Sequence, residues 1–174
     1  MSSGHRRALR IEDLDALVQV SRGGPPQDIF RAVEALAAEV IGHTLFTIMH
    51  FDAARSEVER VYSNNPAVYP VGGRKKKADT AWTKRVLGAM QVFGATDRAA
   101  ICEAFDDHET IFSLGIGSML NIPIAFAGRC LGTMNLSNVD GWFTVDDEQT
   151  GLLLAAFLAP ALMHPVVPAK AGTQ

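Results

Sequence analysis

The stretch from 118 to 162, SMLNIPIAFAGRCLGTMNLSNVDGWFTVDDEQTGLLLAAFLAPAL, decides the fold. Apolar residues alternate along 118–126, and a second strand pattern covers 130–137. A short connection containing Gly128 joins the two, so a β-hairpin is predicted. Thr144, with Asp147 three residues later, then predicts the capped start of a helix. Its buried stripe is expected to contain Leu153, Leu154, Phe157 and Leu158.

The residues before this stretch predict further helices and strands. Apolar spacing favours helices over 11–21 and from 26 to 41, separated by two glycines and two prolines. Residues 44–51 and 57–62 read as a second hairpin, whereas 63–77 is expected to be an irregular loop. Three short helices and one strand are predicted after that loop: a helix carrying Trp82, the strand 90–93, a helix capped by Thr96 or Asp97, and a helical turn at 109–114.

The stretch that decides the fold resembles the C-terminal half of a GAF domain. The matching features are Ile122-Pro123-Ile124 within a strand, Leu131-Gly132 opening the next strand, and Phe143-Thr144 at the start of the closing helix. The order of elements agrees over roughly 26–163, but only the last third is specific. Because these are turn, cap and core residues, they indicate a fold and no activity.

The resemblance implies an α+β, PAS-related architecture. It consists of a twisted antiparallel sheet of about five or six strands, with the first and last helices on one face. Loops and short helices from about 63–117 would cover the other face and enclose a pocket. Three parts of the chain are expected: an N-terminal extension with a short helix at 1–24, the GAF-like domain at 25–163, and a flexible tail at 164–174.

Composition excludes several classes of protein. The chain has 174 residues, 48% apolar and 20% charged, as a single globular domain does. A formal net charge of −3 lacks the basic footprint of nucleic-acid-binding proteins. The two cysteines form no disulfide framework, and the longest apolar stretch is shorter than the roughly 20 residues of a membrane span. We expect a cytoplasmic protein with neither nucleic acid nor membrane as a partner.

The segment from Tyr62 to Trp82 is the first candidate for a binding site. Its aromatic, amide and basic residues suit a lid over a pocket, with a basic residue recognising an anion; the alternative is a solvated surface loop. Asn121 and Asn135 lie within apolar strands, where each amide either bonds neighbouring backbone or faces a ligand. The predicted ligand-binding residues are Tyr69, Arg74, Trp82, Phe93, Phe112, Met119 and Asn121.

The two cysteines are interpreted as buried structural residues. GAF-type free-methionine sulfoxide reductases have their nucleophile just before the Pro-containing strand, where this chain has Phe112, Ser113 and Leu114. Bilin-binding GAF domains frequently have His after the attachment cysteine, whereas Glu103 follows Cys102. No catalytic residue and no cofactor are therefore predicted.

The cluster of Asp106, Asp107, His108 and Glu109 is the best candidate for a metal or acid–base site. Adjacent carboxylates on a helix point in different directions, so a solvated helix end is preferred and no metal site is predicted.

The function expected is a sensory or regulatory domain that binds an unidentified small molecule and passes its signal to a downstream protein partner. An enzyme and a dimeric interaction protein with a vestigial pocket are the rivals.

A homodimer is also predicted. Ile11, Leu14, Leu17 and Val18 form an apolar stripe on the first helix that a single domain does not need for its own core. The last helix is apolar on most sides between 152 and 159, which would leave a patch for a second subunit. The alternative is that helix 11–21 folds back onto this patch within one chain.

Overall fold

A six-stranded antiparallel sheet organises residues 6–163, the part of the chain that this computed structural model describes. The strand order is β3-β2-β1-β6-β5-β4. The strands are β1 Leu45–Asp52, β2 Glu57–Ser63, β3 Arg74–Lys76, β4 Phe93–Ala95, β5 Ser118–Phe126 and β6 Arg129–Asn138. The tail predicted at 164–174 lies outside the described residues.

Helices cover both faces of the sheet. They are α1 Leu14–Ser21, α2 Pro26–Val40, a π-helical segment Thr83–Gly88, α3 Arg98–Ala104, α4 His108–Ser113, α5 Val145–Ala156 and α6 Ala159–Met163. A 3-10 turn, Ile11–Asp13, precedes α1. Thr144 and Asp147 form the predicted capping box of α5, with the Thr144 amide donating to Asp147 Oδ2 at 2.7 Å.

The larger core lies between the sheet and α1, α2, α5 and α6, on what we call the helix face. Its sheet side chains come from alternate positions of β1, β5 and β6, as the pleat requires. They are Phe46, Ile48, Leu120, Ile122, Ile124, Met134 and Leu136, all fully buried. The terminal helices therefore lie on one face, as the α+β, GAF-like prediction has it.

The opposite face carries the π-helical segment, α3, α4 and the loops, and we call it the cavity face. Two smaller apolar clusters lie there, one around Ile101, Ile111 and Ile116 and one around Trp82 and Val86. This confirms that loops and short helices between the two hairpins cover the second face of the sheet.

Strand β3 was not predicted, because 74–76 reads only as a run of basic residues. It pairs with β2 so that Arg74 lies opposite Glu59 and Lys76 lies opposite Glu57. Opposite charges across the strands stabilise this pairing, and basic side chains protect an edge strand from further association. The strand predicted at 90–93 is also displaced, since β4 begins only at Phe93.

The N-terminal segment is held against the helix face. The Arg6 guanidinium lies 4.3 Å from the centre of the Trp142 ring and forms an ion pair with Asp147 at 2.8 Å. Arg7 pairs with Asp13 and Glu39. Helix α1 packs on α2 through Leu17, which is buried, so this helix folds back within one chain. It does not cover the apolar patch of the last helix, as the alternative interpretation requires, because Leu152 and Leu153 remain exposed. Among the described residues, no helix is both long and apolar enough to cross a membrane.

Candidate functional site

A cavity of about 320 Å³ lies on the cavity face. Its floor consists of side chains from β1, β6 and β5, and its walls come from β2, β3 and the segments that contain Tyr69, Trp82 and Phe105. Such a volume is at the small end for sites that bind small molecules. The apolar part of the lining is formed by Leu45, Met49, Val58, Phe105, Ile111 and Met119.

A chain of hydrogen bonds crosses the floor of this cavity. The Trp82 indole Nε1 donates to Asn121 Oδ1 at 2.9 Å, and Asn121 Nδ2 donates to Asn135 Oδ1 at 3.0 Å. Asn135 Nδ2 then donates to Thr47 Oγ1 at 3.2 Å. The register explains the alignment, because Asn121 pairs with Asn135 and Asn135 with Thr47 in neighbouring strands. The two amides thus bond other side chains of the cavity, and the alternative of backbone partners for these contacts is wrong.

The direction of this chain is fixed at its Trp82 end. An indole N–H donates and cannot accept, so Asn121 must turn its oxygen toward Trp82 and its amide nitrogen toward Asn135. The same reasoning orients Asn135 toward Thr47. The Thr47 hydroxyl already accepts one bond and retains its own hydrogen, which has no acceptor within residues 6–163. The floor therefore offers a donor to whatever occupies the cavity.

Arg60 is the half-buried cation of the β2 wall. Its guanidinium lies 5.0 Å from the centre of the Tyr69 ring, and one Nη donates to the Pro70 carbonyl at 3.1 Å. Within the described chain its Nε is buried without a partner, and no carboxylate lies within salt-bridge distance. Burial lowers the pKa of Arg60 from its ordinary value, although an arginine stays charged. The Asp107 carboxylate opposes this shift without forming an ion pair, so within residues 6–163 the charge of Arg60 has no salt-bridge partner.

Tyr69 contributes a second unpartnered polar atom. Its hydroxyl is buried and makes no hydrogen bond of normal geometry within residues 6–163, and the carboxylate of Asp107 is the acceptor that lies near it. Burial, together with the nearby Asp107 carboxylate, raises the pKa of Tyr69 to about 12. The hydroxyl therefore keeps its proton at neutral pH and is a further donor in the lining.

Lys77 is the cation at the Trp82 side of the cavity. Its ammonium nitrogen lies 4.4 Å from the centre of the Trp82 ring, a distance at which a cation is attracted to the face of an indole. Burial is the main cause that lowers the pKa of Lys77, and the like charge of Lys75 adds to it. The Asp107 carboxylate opposes this shift but forms no ion pair with Lys77 within residues 6–163, so a bound anion would still be favourable here.

Five of the seven predicted ligand-binding residues line the cavity: Tyr69, Arg74, Trp82, Met119 and Asn121. Phe93 and Phe112 do not, so their predicted placement in the concave site is wrong. Phe93 packs edge-on against Phe105, with ring centres 6.1 Å apart, whereas Phe105 itself lines the cavity. Phe112 packs against His108 and under the Arg98 guanidinium.

Arg74 lines the cavity but is already paired. Its Nη2 lies 2.8 Å from Glu59 Oε2, in the cross-strand pair that joins β3 to β2. The sequence singled out Arg74 as the basic member of the site, yet Arg60, Lys75 and Lys77 are the lining cations without such a partner among residues 6–163, and of these Arg60 and Lys77 are partly buried. The alternation of Glu57-Val58-Glu59-Arg60-Val61 was the available signal, because it places Val58 and Arg60 on one face of a strand.

The polar floor residues Thr47, Thr133, Asn135 and Ser137 were also missed as lining residues. Once Asn121 faces the cavity, strand alternation and register place the other four on the same face. The sequence could not show which face that was, since both faces of β5 and β6 are largely buried.

Neither cysteine lines the cavity. Cys130 is buried as predicted, its thiol lies 3.3 Å from the Gly132 carbonyl oxygen, and burial raises its pKa. Cys102 is exposed on α3, so the prediction that it is poorly accessible is wrong. Both are free thiols.

Among residues 6–163 no three Asp, Glu, His or Cys side chains are grouped so that they could hold a metal ion.

No protein-family model and no curated protein sequence matches the chain. Solved structures do. The GAF domain from a phosphoenolpyruvate-protein phosphotransferase of Coxiella burnetii matches with a TM-score of 0.70 and 20% identity, over 88% of this chain and 92% of that one. This chain has a GAF-domain fold.

Two further GAF-type structures extend the comparison. The GAF domain of a two-component sensor histidine kinase from Bacillus halodurans matches with a TM-score of 0.61 and 16% identity, over 79% of this chain and 92% of that chain. The chromophore-binding domain of the bacteriophytochrome RpBphP3 from R. palustris matches with a TM-score of 0.65 and 12% identity, over 87% of this chain. This chain spans 60% of the length of that domain. At such identities the likeness concerns the fold alone.

Proposed function

We propose that this GAF domain binds a small organic molecule in the cavity on the cavity face and acts as a sensory or regulatory module. The hydrogen-bond chain from Trp82 to Thr47 carries the proposal. Buried polar side chains in the floor of a cavity are costly to keep unless they are fully bonded, and here the chain of hydrogen bonds ends on a free donor. GAF domains of a sensor kinase and of a phosphotransferase supply the regulatory context.

Native mass spectrometry tests this directly. Protein purified under mild conditions should carry additional mass that is lost on denaturation. Met49→Trp adds a large side chain inside the cavity and should abolish the additional mass. Phe126→Trp is the matched control, because it adds the same side chain at an exposed position near the tip of the same sheet. Protein without bound mass that also fails to bind every compound offered would contradict the proposal.

A thiol-based enzyme related to the sulfoxide reductases is disfavoured. Neither cysteine lines the cavity, and the burial of Cys130 holds its thiol protonated, whereas the nucleophile in such chemistry is the thiolate. The double variant Cys102→Ser, Cys130→Ala should keep its ligand, and a reductase activity that is lost in this variant would favour the enzyme instead.

We further propose that the chain forms a homodimer through the helices of the helix face and that it has a downstream protein partner. Four exposed apolar side chains support such contacts: Ile11, Val18, Leu152 and Leu153. Leu153 was predicted to lie in the buried stripe of α5, and its exposure shows that this prediction is wrong. Light scattering at micromolar concentration should give twice the monomer mass. Leu152→Glu and Leu153→Glu together should give monomers, whereas Val71→Glu, at an exposed loop position, should not. A monomeric wild-type chain would refute the dimer.

A further inference from the structure

We infer that the ligand of this cavity is a small organic carboxylate, with its carboxylate group at Arg60 and Lys77 and its apolar part against Met49, Met119 and Phe105. This inference rests on the proposed function and names the chemical class of the ligand. It follows from the charge of the lining, its hydrogen-bond donors and the size of the cavity.

The lining has an excess of positive charge. Four basic side chains contribute to it, Arg60, Arg74, Lys75 and Lys77, against the single carboxylate of Asp107. Arg74 is neutralised by Glu59 at 2.8 Å, but no carboxylate of the described chain lies within 4.0 Å of Arg60 or Lys77. Both are partly withdrawn from water, so an anion between them would restore lost interactions.

The unpartnered polar atoms of the lining are mostly donors. The Arg60 Nε–H and the Thr47 hydroxyl retain a hydrogen without an acceptor in residues 6–163, and the Tyr69 hydroxyl has only the nearby Asp107 carboxylate, with no bond of normal geometry. A guanidinium presents its N–H groups in a plane, which matches the two oxygens of a carboxylate. A ligand rich in acceptor oxygens therefore satisfies this site, whereas a protonated amine has no acceptor and would leave every one of these hydrogens unbonded.

The size and the opposite wall of the cavity limit the rest of the ligand. About 320 Å³ holds roughly ten water-sized groups at ~30 Å³ each, so an acid with about that many non-hydrogen atoms fits. The two Met side chains and the Phe105 ring offer an apolar, adaptable surface for its body. Benzoate and isovalerate have this combination of size and character.

Matched acids and amides test the sign of the charge. Benzoate and benzamide, and isovalerate and isovaleramide, differ in charge at nearly constant shape. Binding is followed by the nitrogen-15 NMR signal of the Trp82 indole, which the spectrum of Trp142→Phe assigns because the chain has two Trp residues. At least one acid should bind about tenfold or more tightly than its amide, as the loss of one charged hydrogen bond implies.

Substitutions then test the residues. Arg60→Gln and Lys77→Gln should each weaken binding of the acid several-fold and leave the amide unchanged. Lys76→Gln and Arg129→Gln are matched controls, since both positions are exposed and outside the lining, and they should change neither. Asp107→Asn removes the one carboxylate of the lining and should strengthen binding of the acid.

The outcomes separate this inference from the proposed function. Three results would show that the ligand is not a carboxylate while ligand binding itself stands. They are an amide that binds as tightly as its acid, an Arg60→Gln variant that binds the acid as the wild type does, and a purified protein whose bound mass is a neutral or cationic compound. If no compound of either charge moves the Trp82 signal and the purified protein is empty, ligand binding itself fails and the inference fails with it.

Discussion

Alternate residues of β5 and β6 point to opposite faces of one sheet, and the two faces have different contents. On the helix face, Leu120, Ile122, Met134 and Leu136 are fully buried against helices. On the cavity face, Asn121, Thr133, Asn135 and Ser137 line an open space. One face is filled with apolar atoms, whereas the other keeps polar groups and an empty volume. We therefore expect stability to depend mainly on the first face and ligand binding on the second.

The largest expected effect comes from a glycine that faces the helices. A Cβ built on Gly132 would lie 1.9 Å from the Met49 carbonyl oxygen and 2.9 Å from Leu162 of α6. Backbone cannot move aside without breaking the β1–β6 pairing, so Gly132→Ala should lower the free energy of unfolding by more than about 4 kcal/mol. Urea denaturation measures this. Gly23→Ala, with nothing within 4 Å, is the control, and equal effects would mean that β1 and β6 can separate freely.

Truncation of one methionine on each face compares the two directly. Met134 is fully buried on the helix face, and Met134→Ala should cost about 2–5 kcal/mol through lost contacts and a new void. Met119 borders a volume that is already empty, so Met119→Ala should cost about 1 kcal/mol. Chemical denaturation of both variants tests the difference. Equal losses would show that the cavity face is as tightly filled as the helix face.

Breaking the hydrogen-bond chain should have an intermediate effect. Asn121→Leu leaves the buried Trp82 N–H without an acceptor, at a cost of about 1–3 kcal/mol. Adding Trp82→Phe removes that orphaned donor, so the double variant should be more stable than the sum of the two single losses predicts. Additive losses in a double-mutant cycle would mean that the bond from Trp82 to Asn121 contributes nothing.

The smallest effect concerns His43, a titratable group on the helix side. Its two ring nitrogens are buried without partners in residues 6–163, its ring centre lies 5.2 Å from that of Phe46, and Glu34 is the nearby charge. Burial lowers the pKa of His43 below its ordinary value of about 6.5. The unfolded state therefore binds the proton first, and stability should fall as the pH drops below about 6.5.

His43→Phe should remove this part of the pH dependence, so that the variant loses less stability than the wild type between pH 7 and pH 5. Thermal denaturation of both proteins across this range provides the measurement. A wild-type protein that gains stability relative to His43→Phe on acidification would show that the imidazole finds a partner when it is charged.

The sequence was sufficient for the elements with strong local signals. The hairpin of β5 and β6 follows from alternation and a Gly-containing turn, and the start of α5 follows from Thr144 and Asp147, whose side chains both make the expected bonds. Strand β3 was not predictable in this way. Its three basic residues form a strand only because Glu57 and Glu59 lie opposite, and that pairing joins segments more than ten residues apart.

In the candidate site, too, local sequence patterns predicted some of the lining residues, whereas contacts between distant residues determined the others. The unusual composition of the segment from Tyr62 to Trp82 indicated a lid, and Tyr69 and Trp82 do line the cavity. The choice between basic residues depended on partners, because Glu59 neutralises Arg74 and leaves Arg60 unpaired. Phe93 and Phe112 are aromatic in the right region, but each faces another side chain instead of the cavity.

Trp82 also influences how the selectivity of this cavity could change during evolution. The donor-only indole removes an ambiguity, because each of the two amides beyond it has a second orientation that would otherwise be similar in energy. With Phe at position 82, both orientations would be populated, and the floor would accept ligands with either hydrogen-bonding pattern. A single change at this position would thus produce a more promiscuous domain while Thr47, Asn121 and Asn135 stayed in place.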